Sequence, residues 1–250
     1  MGKIPIGVQL YSVRDDCALD LPGTIEAMAR AGFSAVEFAG YYNRTANELR
    51  RLLQDLGLGC CGSHISLDTL LGDQLARTVE FNLELGNRFL IVPWIAEKYR
   101  DSVTSWQATG ALFDEIAEKI APHGLMVGYH HHEVEFHPFE GGELGMDVFY
   151  SASKRAIMQL DTAHALSGGA DPVQYIRRYP GRAVTVHLRD YSTVDDRAFI
   201  GEGEVDWAGV FEACETVGGT EWYIVEQERY KVPPVEAVAR CLESLHSMGK

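Results

Sequence analysis

Between His130 and Glu135 the chain reads His130-His131-His132-Glu133-Val134-Glu135, five side chains able to bind a metal or move a proton within six residues. An apolar run, 125–129, leads into this segment, the pattern of a strand with a functional end. Three later strand-like runs end in groups of the same kind: 157–160 in Asp161, 183–186 in His187 and 222–225 in Glu226. Taken singly, each has an ordinary explanation. An Asp after a strand caps the next helix, a lone His is a satisfied half-buried residue, a Glu pairs with an arginine, and clustered imidazoles line a polar groove. Together, one imidazole and the carboxylates of Glu135, Asp161 and Glu226 make a divalent-metal site. Three carboxylates in one pocket repel and raise one another's pKa, and a doubly charged cation removes that penalty. Oxygen-rich ligation with one histidine suits one divalent ion, Mn²⁺ foremost, with Mg²⁺, Co²⁺ or Zn²⁺ as alternatives. Cys-rich tetrahedral zinc is excluded by the ligand types.

Such a site requires the four strand ends to meet. Short apolar runs alternate with amphipathic ones along the whole chain. Strands are expected at 4–10, 34–39, 60–65, 89–92, 125–129, 157–160, 183–186 and 222–225. Helices are expected at 21–31, at 46–56 with Thr45 as cap, from Ser66 or Asp68 to about Gly86, and at 105–121. A weaker helical stretch covers 146–153, and further helices are expected from Pro172 to Arg178, at 206–217 and at 234–248. The strands are continuous apolar runs, as in a parallel sheet covered on both faces. Eight βα units in 250 residues, without a linker, predict one domain spanning 1–250 and folded as a (β/α)8 TIM barrel. A doubly wound open sheet is the other candidate, but no glycine-rich phosphate loop follows the first strand. In a barrel, strand ends converge on one face. Asp161 follows Glu135 by 26 positions and His187 follows Asp161 by 26 again. That spacing predicts equivalent places on neighbouring strands. The longer gap from His187 to Glu226 holds an inserted polar loop, 190–204.

A net charge of −14 argues against non-specific nucleic-acid binding. The five cysteines are odd in number and form no Cys-x-x-Cys pair, so reduced buried thiols are expected. No run approaches the roughly 20 apolar residues of a membrane span, and the first residues lack a signal-peptide core. A cytoplasmic protein without membrane contact is the expectation.

Several motifs sharpen the reading: Gly7-Val8-Gln9-Leu10-Tyr11-Ser12, Tyr129-His130-His131-His132-Glu133-Val134-Glu135-Phe136, Leu160-Asp161-Thr162-Ala163-His164, Val186-His187-Leu188-Arg189-Asp190, Gly201-Glu202-Gly203-Glu204-Val205-Asp206-Trp207 and Ile224-Val225-Glu226-Gln227-Glu228. With these the chain resembles the sugar phosphate isomerase/epimerase family, the xylose isomerase-like TIM barrels, over nearly its whole length. The resemblance implies that Glu135, Asp161, His187 and Glu226 hold the metal. Glu135 must then curl back over the barrel mouth, because it and His130 face opposite sides of a straight strand. If it does not, His130 is the ligand. The chemistry implied is proton transfer next to the carbonyl of a sugar or keto-sugar, giving isomerisation or epimerisation, with dehydration or glycoside elimination as the alternative. Glu135 and Glu226, with His130 and His132, are the candidate acid–base groups. His64, His164, Arg189 and Trp94 are candidate substrate contacts, and Gln9, Tyr11, Glu37 and Tyr42 are weaker ones. The scarcity of cations at the strand ends favours an unphosphorylated substrate. Relatives of this kind often pair, so a homo-oligomer is compatible with the resemblance.

Overall fold

The computed structural model describes residues 2–250. Eight strands form a closed barrel in sequence order, every neighbouring pair parallel. They are β1 (Ile6–Gln9), β2 (Ala35–Ala39), β3 (Gly59–His64), β4 (Phe89–Val92), β5 (Met126–His130), β6 (Ile157–Asp161), β7 (Thr185–Leu188) and β8 (Trp222–Val225). β1 closes the ring on β8, with Val8 opposite Val225. The helices outside it are α1 (Arg14–Ala31), α2 (Ala46–Asp55), α3 (Gln74–Leu85), α4 (Val103–Ile120), α5 (Gly145–Ala152), α6 (Thr162–Ser167), α7 (Pro172–Arg178), α8 (Trp207–Ala213) and α9 (Pro234–Ser247). The TIM barrel expected from the alternation of runs is the observed architecture. No helix among the described residues is long and apolar enough to cross a membrane.

Local chemistry explains the boundaries that shift from those expected. α1 begins seven residues earlier than Leu21 but is broken at Asp20, whose backbone is extended (φ −151°, ψ 86°). Pro22 follows, and Asp20 Oδ1 accepts the N–H of Gly23 at 3.1 Å, so Asp20 is the cap of the second half. α2 starts at Thr45 with a reciprocal capping box to Glu48. Asp161 caps α6, a one-and-a-half-turn helix that the periodicity of the sequence is too short to reveal. α3 starts later than Ser66 or Asp68, because the one-turn 3₁₀ helix Leu67–Leu70 precedes it and Gly72 turns the chain at φ 52°.

The apolar core lies in two places. The larger part fills the space between sheet and helices. Inside the barrel, two small clusters plug the floor, Phe89, Ile91, Ile157 and Val184 on one side and Ala35, Cys61 and Ile224 on the other. Glycines make room for them: a methyl group at Gly128 would come within 2.6 Å of Ile157 and 2.8 Å of Ile91. Above this floor the interior becomes polar, with Gln9, Glu37, Gln159, Thr185 and His187 all buried.

Asp114 on α4 ties down the turn that feeds β6. Its Oδ1 accepts from Ser153 Oγ at 2.6 Å and from the N–H groups of Lys154 at 2.8 Å and Arg155 at 2.9 Å. Burial raises its pKa, but these donors outweigh burial and hold it below the ordinary carboxylate value. A depressed folded-state pKa means stabilisation that is complete above the unfolded value, near 3.9, and is lost as pH falls through the folded one. Asp114→Ala should therefore lower stability at pH 7 by about 1–3 kcal/mol. The gap between the two proteins in urea unfolding should narrow as the pH is taken below about 4.

Candidate metal and active site

At the C-terminal mouth of the barrel, ligand atoms of His130, Asp161, His187 and Glu226 lie within 4.8 Å of one another, all four residues buried. β6 and β7 bring two of them into register, Asp161 opposite His187. Glu226 directly follows β8, where its N–H is bonded to the carbonyl of Leu188 at 3.2 Å. His130 is the last residue of β5.

Asp161 divides its carboxylate between two roles. Oδ1 accepts the N–H of His164 at 2.7 Å as the cap of α6. Oδ2 is buried and has no hydrogen-bond partner. A buried carboxylate oxygen left in this way is costly unless a cation meets it. The donor set of two imidazoles and two carboxylates, with Asp161 Oδ2 otherwise unpaired, fits a divalent ion. Within the same group, Nδ1 of His130 is also buried without a partner.

Behind this group lies Glu37 on β2, fully buried. Oε1 accepts from Gln159 Nε2 at 2.7 Å, and Oε2 accepts from Gln9 Nε2 at 2.7 Å and from His187 Nε2 at 2.6 Å. His64 Nε2 is 3.3 Å away from the same oxygen. The register of β2 and β3 shifts between Val36 and Glu37, and Gly62 faces the carboxylate so closely that a methyl group there would run into Oε1. His187 Nδ1 donates in turn to Glu226 Oε2 at 2.7 Å. Burial lowers the pKa of His187, but Glu226 and Glu37 more than reverse this and push it up to about 10. For both carboxylates burial raises the pKa and the imidazolium outweighs it: Glu37, with His64 contributing first, and Glu226 are held well below the ordinary range. A carboxylate bonded to the far nitrogen of a ligating histidine sets its tautomer and ring orientation, which is the place of Glu37 here.

The structure corrects the expectation for Glu135. β5 ends at His130, and Glu135 lies beyond it in the one-turn 3₁₀ helix Glu133–Phe136. Its two oxygens are taken by Tyr129 Oη at 2.8 Å and by the N–H of His132 at 2.7 Å. The 26-residue spacing to Asp161 thus does not reflect equivalent strand positions, and His130 takes the fourth place in the group. Burial raises the pKa of Glu135. Its work is to close the turn that presents His132. The middle histidine faces away from its neighbours: His131 Nε2 accepts the N–H of Asp161 at 3.1 Å and so fixes the end of β6.

A cavity of about 550 Å³ opens over this group. Tyr11, His64, Trp94, His130, His132, Glu226 and Glu228 are among its lining residues, and no lysine or arginine is. His64 also donates to Gln159 Oε1 at 2.7 Å. Trp94 is half exposed and stands edge-on to His132, with ring centres 5.4 Å apart. Burial, with His164 nearby, lowers the pKa of His132 to about 4, so it is neutral at pH 7. Burial also raises the pKa of Glu228, a cavity residue that the sequence reading passed over. Arg189 and His164 line a neighbouring cavity of about 310 Å³ instead, where Arg189 pairs with Glu228. Tyr42 is not among the lining residues of either cavity.

Barrel and mouth together put the polar group where barrel enzymes carry their active sites, at the C-terminal ends of the strands. A family model described as a xylose isomerase-like TIM barrel matches residues 25–248, and the chain belongs to that family. It is 26% identical over 241 residues to the rhizopine catabolism protein MocC of Rhizobium meliloti, covering 82% of this chain and 74% of that protein. It is 22% identical to an inosose dehydratase of Geobacillus thermodenitrificans, covering 91% of this chain and 90% of the relative. Among solved structures, a sugar phosphate isomerase/epimerase from Parabacteroides distasonis superimposes with a TM-score of 0.82 at 22% identity, covering 98% and 95% of the two chains.

Glu37→Gln keeps the shape of the buried side chain but removes its charge from His187. Mn²⁺ affinity measured by equilibrium dialysis should fall by about 10–100-fold, while the folded state is retained. Unchanged affinity would show that Glu37 does not act through His187.

Proposed function

We propose that this chain is a divalent-metal-dependent isomerase or epimerase of an uncharged sugar, keto-sugar or keto-cyclitol, working by proton transfer next to a carbonyl. The observation that carries this reading is the unpaired Asp161 Oδ2 among His130, His187 and Glu226, beneath a cavity with no lysine or arginine in its lining. His130, Asp161, His187 and Glu226 would hold the ion, Mn²⁺ foremost. When bound it would supply Lewis acidity that polarises a substrate carbonyl and stabilises the enediolate.

The remaining work belongs to the side chains. A carboxylate or neutral imidazole at the cavity wall takes the proton from the carbon beside the carbonyl, and the electron pair of that C–H bond moves toward the carbonyl oxygen. Glu226 and His132 both face the cavity and are candidates for this step. Return of the proton to the adjacent carbon isomerises the substrate, and return to the other face of the same carbon epimerises it. His64 offers a ring edge to substrate hydroxyls, and Trp94 offers an aromatic wall at the rim. With no cation among the lining residues to hold a phosphate, an uncharged substrate is favoured.

A dehydratase is the second reading, supported by Glu228 and by the inosose dehydratases among the relatives. Burial raises the pKa of Glu228, and a carboxyl group that holds a proton can hand it to a departing hydroxyl, which then leaves as water.

Two measurements test the proposal. Asp161→Ala and His187→Ala should fold, by circular dichroism, yet lose stoichiometric Mn²⁺ and all turnover; retained Mn²⁺ in either removes that residue from the site. Proton NMR in D₂O with candidate keto-sugars and inososes, after quenching with chelator, separates the fates. Deuterium at the carbon beside the carbonyl, with no unsaturated product, is the expected result. An unsaturated product selects the dehydratase, and neither outcome over a broad substrate panel would overturn the proton-transfer reading.

A further inference from the structure

His130 also belongs to a second group. Ligand nitrogens of His130, His132 and His164 lie within 4.8 Å of one another, with His130 and His164 buried and His132 half-buried. The ring centres of His132 and His164 are 4.6 Å apart, and His130 is 5.1 Å from His132 and 6.0 Å from His164. Backbone geometry produces this convergence. His130 and His132 are two residues apart on extended chain, so both side chains face the same way while His131 faces the other. His164 comes up from the first turn of α6, whose position is set by the Asp161 cap.

The hydrogen bonding leaves a lone pair on His164 and uncommitted nitrogens on the other two rings. Glu133 Oε2 accepts from His164 Nδ1 at 3.0 Å, which places the proton on Nδ1 and makes Nε2 the basic nitrogen. Arg189 Nη1 approaches that nitrogen at 3.4 Å, a long contact that a ligand would replace, because Arg189 keeps Glu228 as its partner. His132 Nδ1 is buried and makes no hydrogen bond, although the His132 side chain faces the N–H of Glu135 at the start of the 3₁₀ helix. Three imidazoles, two of them with an orphaned nitrogen, and a carboxylate behind the third ring are the parts of a three-histidine zinc site with an open fourth position.

We propose that His130, His132 and His164 form a second metal seat, selective for Zn²⁺ and separate in chemistry from the oxygen-containing group below it. Imidazole-only ligation suits Zn²⁺ and is poor for Mn²⁺ or Mg²⁺, which prefer oxygen. Zinc–nitrogen bonds of about 2.0–2.1 Å require the three rings to close inward, a motion of side chains at the cavity wall. The two seats share His130, and a neutral imidazole gives its lone pair to one ion at a time. Zinc in the three-histidine seat therefore withdraws a ligand from the other and places an ion in the substrate cavity. Excess Zn²⁺ is expected to act as an inhibitor that competes with the working metal.

The test uses His187→Gln, which disables the four-residue group and the adjoining His64–His130–His187 set while leaving these three rings in place. Metal-free His187→Gln protein should bind one Zn²⁺ per chain by isothermal titration calorimetry and take up no Mn²⁺. Adding His132→Ala, or separately His164→Ala, should weaken that binding by at least the roughly 100-fold that loss of even an outer partner can reach. If His187→Gln fails to give a cooperative thermal melt, Asp161→Asn serves as the second background and is read by the same comparison. Zinc binding that ignores both His132→Ala and His164→Ala, or no zinc binding in the parent variant, overturns the proposal. Either result leaves the Mn²⁺ experiments above standing, because those depend on Asp161 and His187 and not on His132 or His164.

Discussion

The interaction on which the rest depends is the buried chain from Glu37 through His187 to Glu226. Two carboxylates stripped of water inside a barrel are affordable only if a positive charge lies between them. Without a metal the imidazolium supplies it, bonded to one acid through each nitrogen at 2.6 and 2.7 Å, and an ion held by His187 would take the place of one of these two protons. Everything nearby serves that chain. Gln9 and Gln159 satisfy the remaining capacity of Glu37, and Gly62 leaves space for its carboxylate. The strand register that brings Asp161 beside His187 then adds a third acid to the same volume. With the third acid the positive charge of one imidazolium no longer suffices, and the spare oxygen of Asp161 is the visible sign of the imbalance.

The layered interior explains how a barrel can carry so much charge and still fold. The floor is apolar and filled by Phe89, Ile91, Ile157 and Val184. The polar layer rests on that floor and is fully bonded at Glu37, so its charges are held by neighbours in fixed rotamers rather than by solvent. Preorganisation of this kind fixes the orientation of a ligating histidine before any ion arrives. Family membership accounts for the architecture, whereas the particular reaction depends on the cavity walls, where Trp94, His132 and Glu228 stand.

Much of this was legible in the order of residues. Eight apolar runs separated by amphipathic ones forced the barrel, and Asp161, His187 and Glu226 were visible because each directly follows or ends such a run. Glu135 was misplaced because its 26-residue spacing to Asp161 matches the length of one βα unit. The carboxylate is close in sequence to the strand end, but the one-turn helix after His132 rotates it onto Tyr129. The turn is held by local bonds from Tyr129 and the His132 N–H to Glu135, but histidine is not a residue that ordinarily signals such a cap. Glu37 was seen only as a weak cavity residue. Its role arises from contacts 28, 122 and 150 residues away in the chain, which no local pattern can carry. Arg189 was placed correctly at a strand end, but its pairing with Glu228 in a side cavity follows from packing alone.

Gly62 gives the architecture an asymmetry between what can diversify and what cannot. A side chain of any size at that position collides with the carboxylate that steadies His187, so the wall of the barrel beneath the mouth is sterically closed to innovation. The loops above carry no such restriction: Trp94 is half exposed, and the segment around Val194 is open to solvent. A new side chain is therefore accommodated more easily at the rim than at Gly62, where it would displace the group that steadies His187.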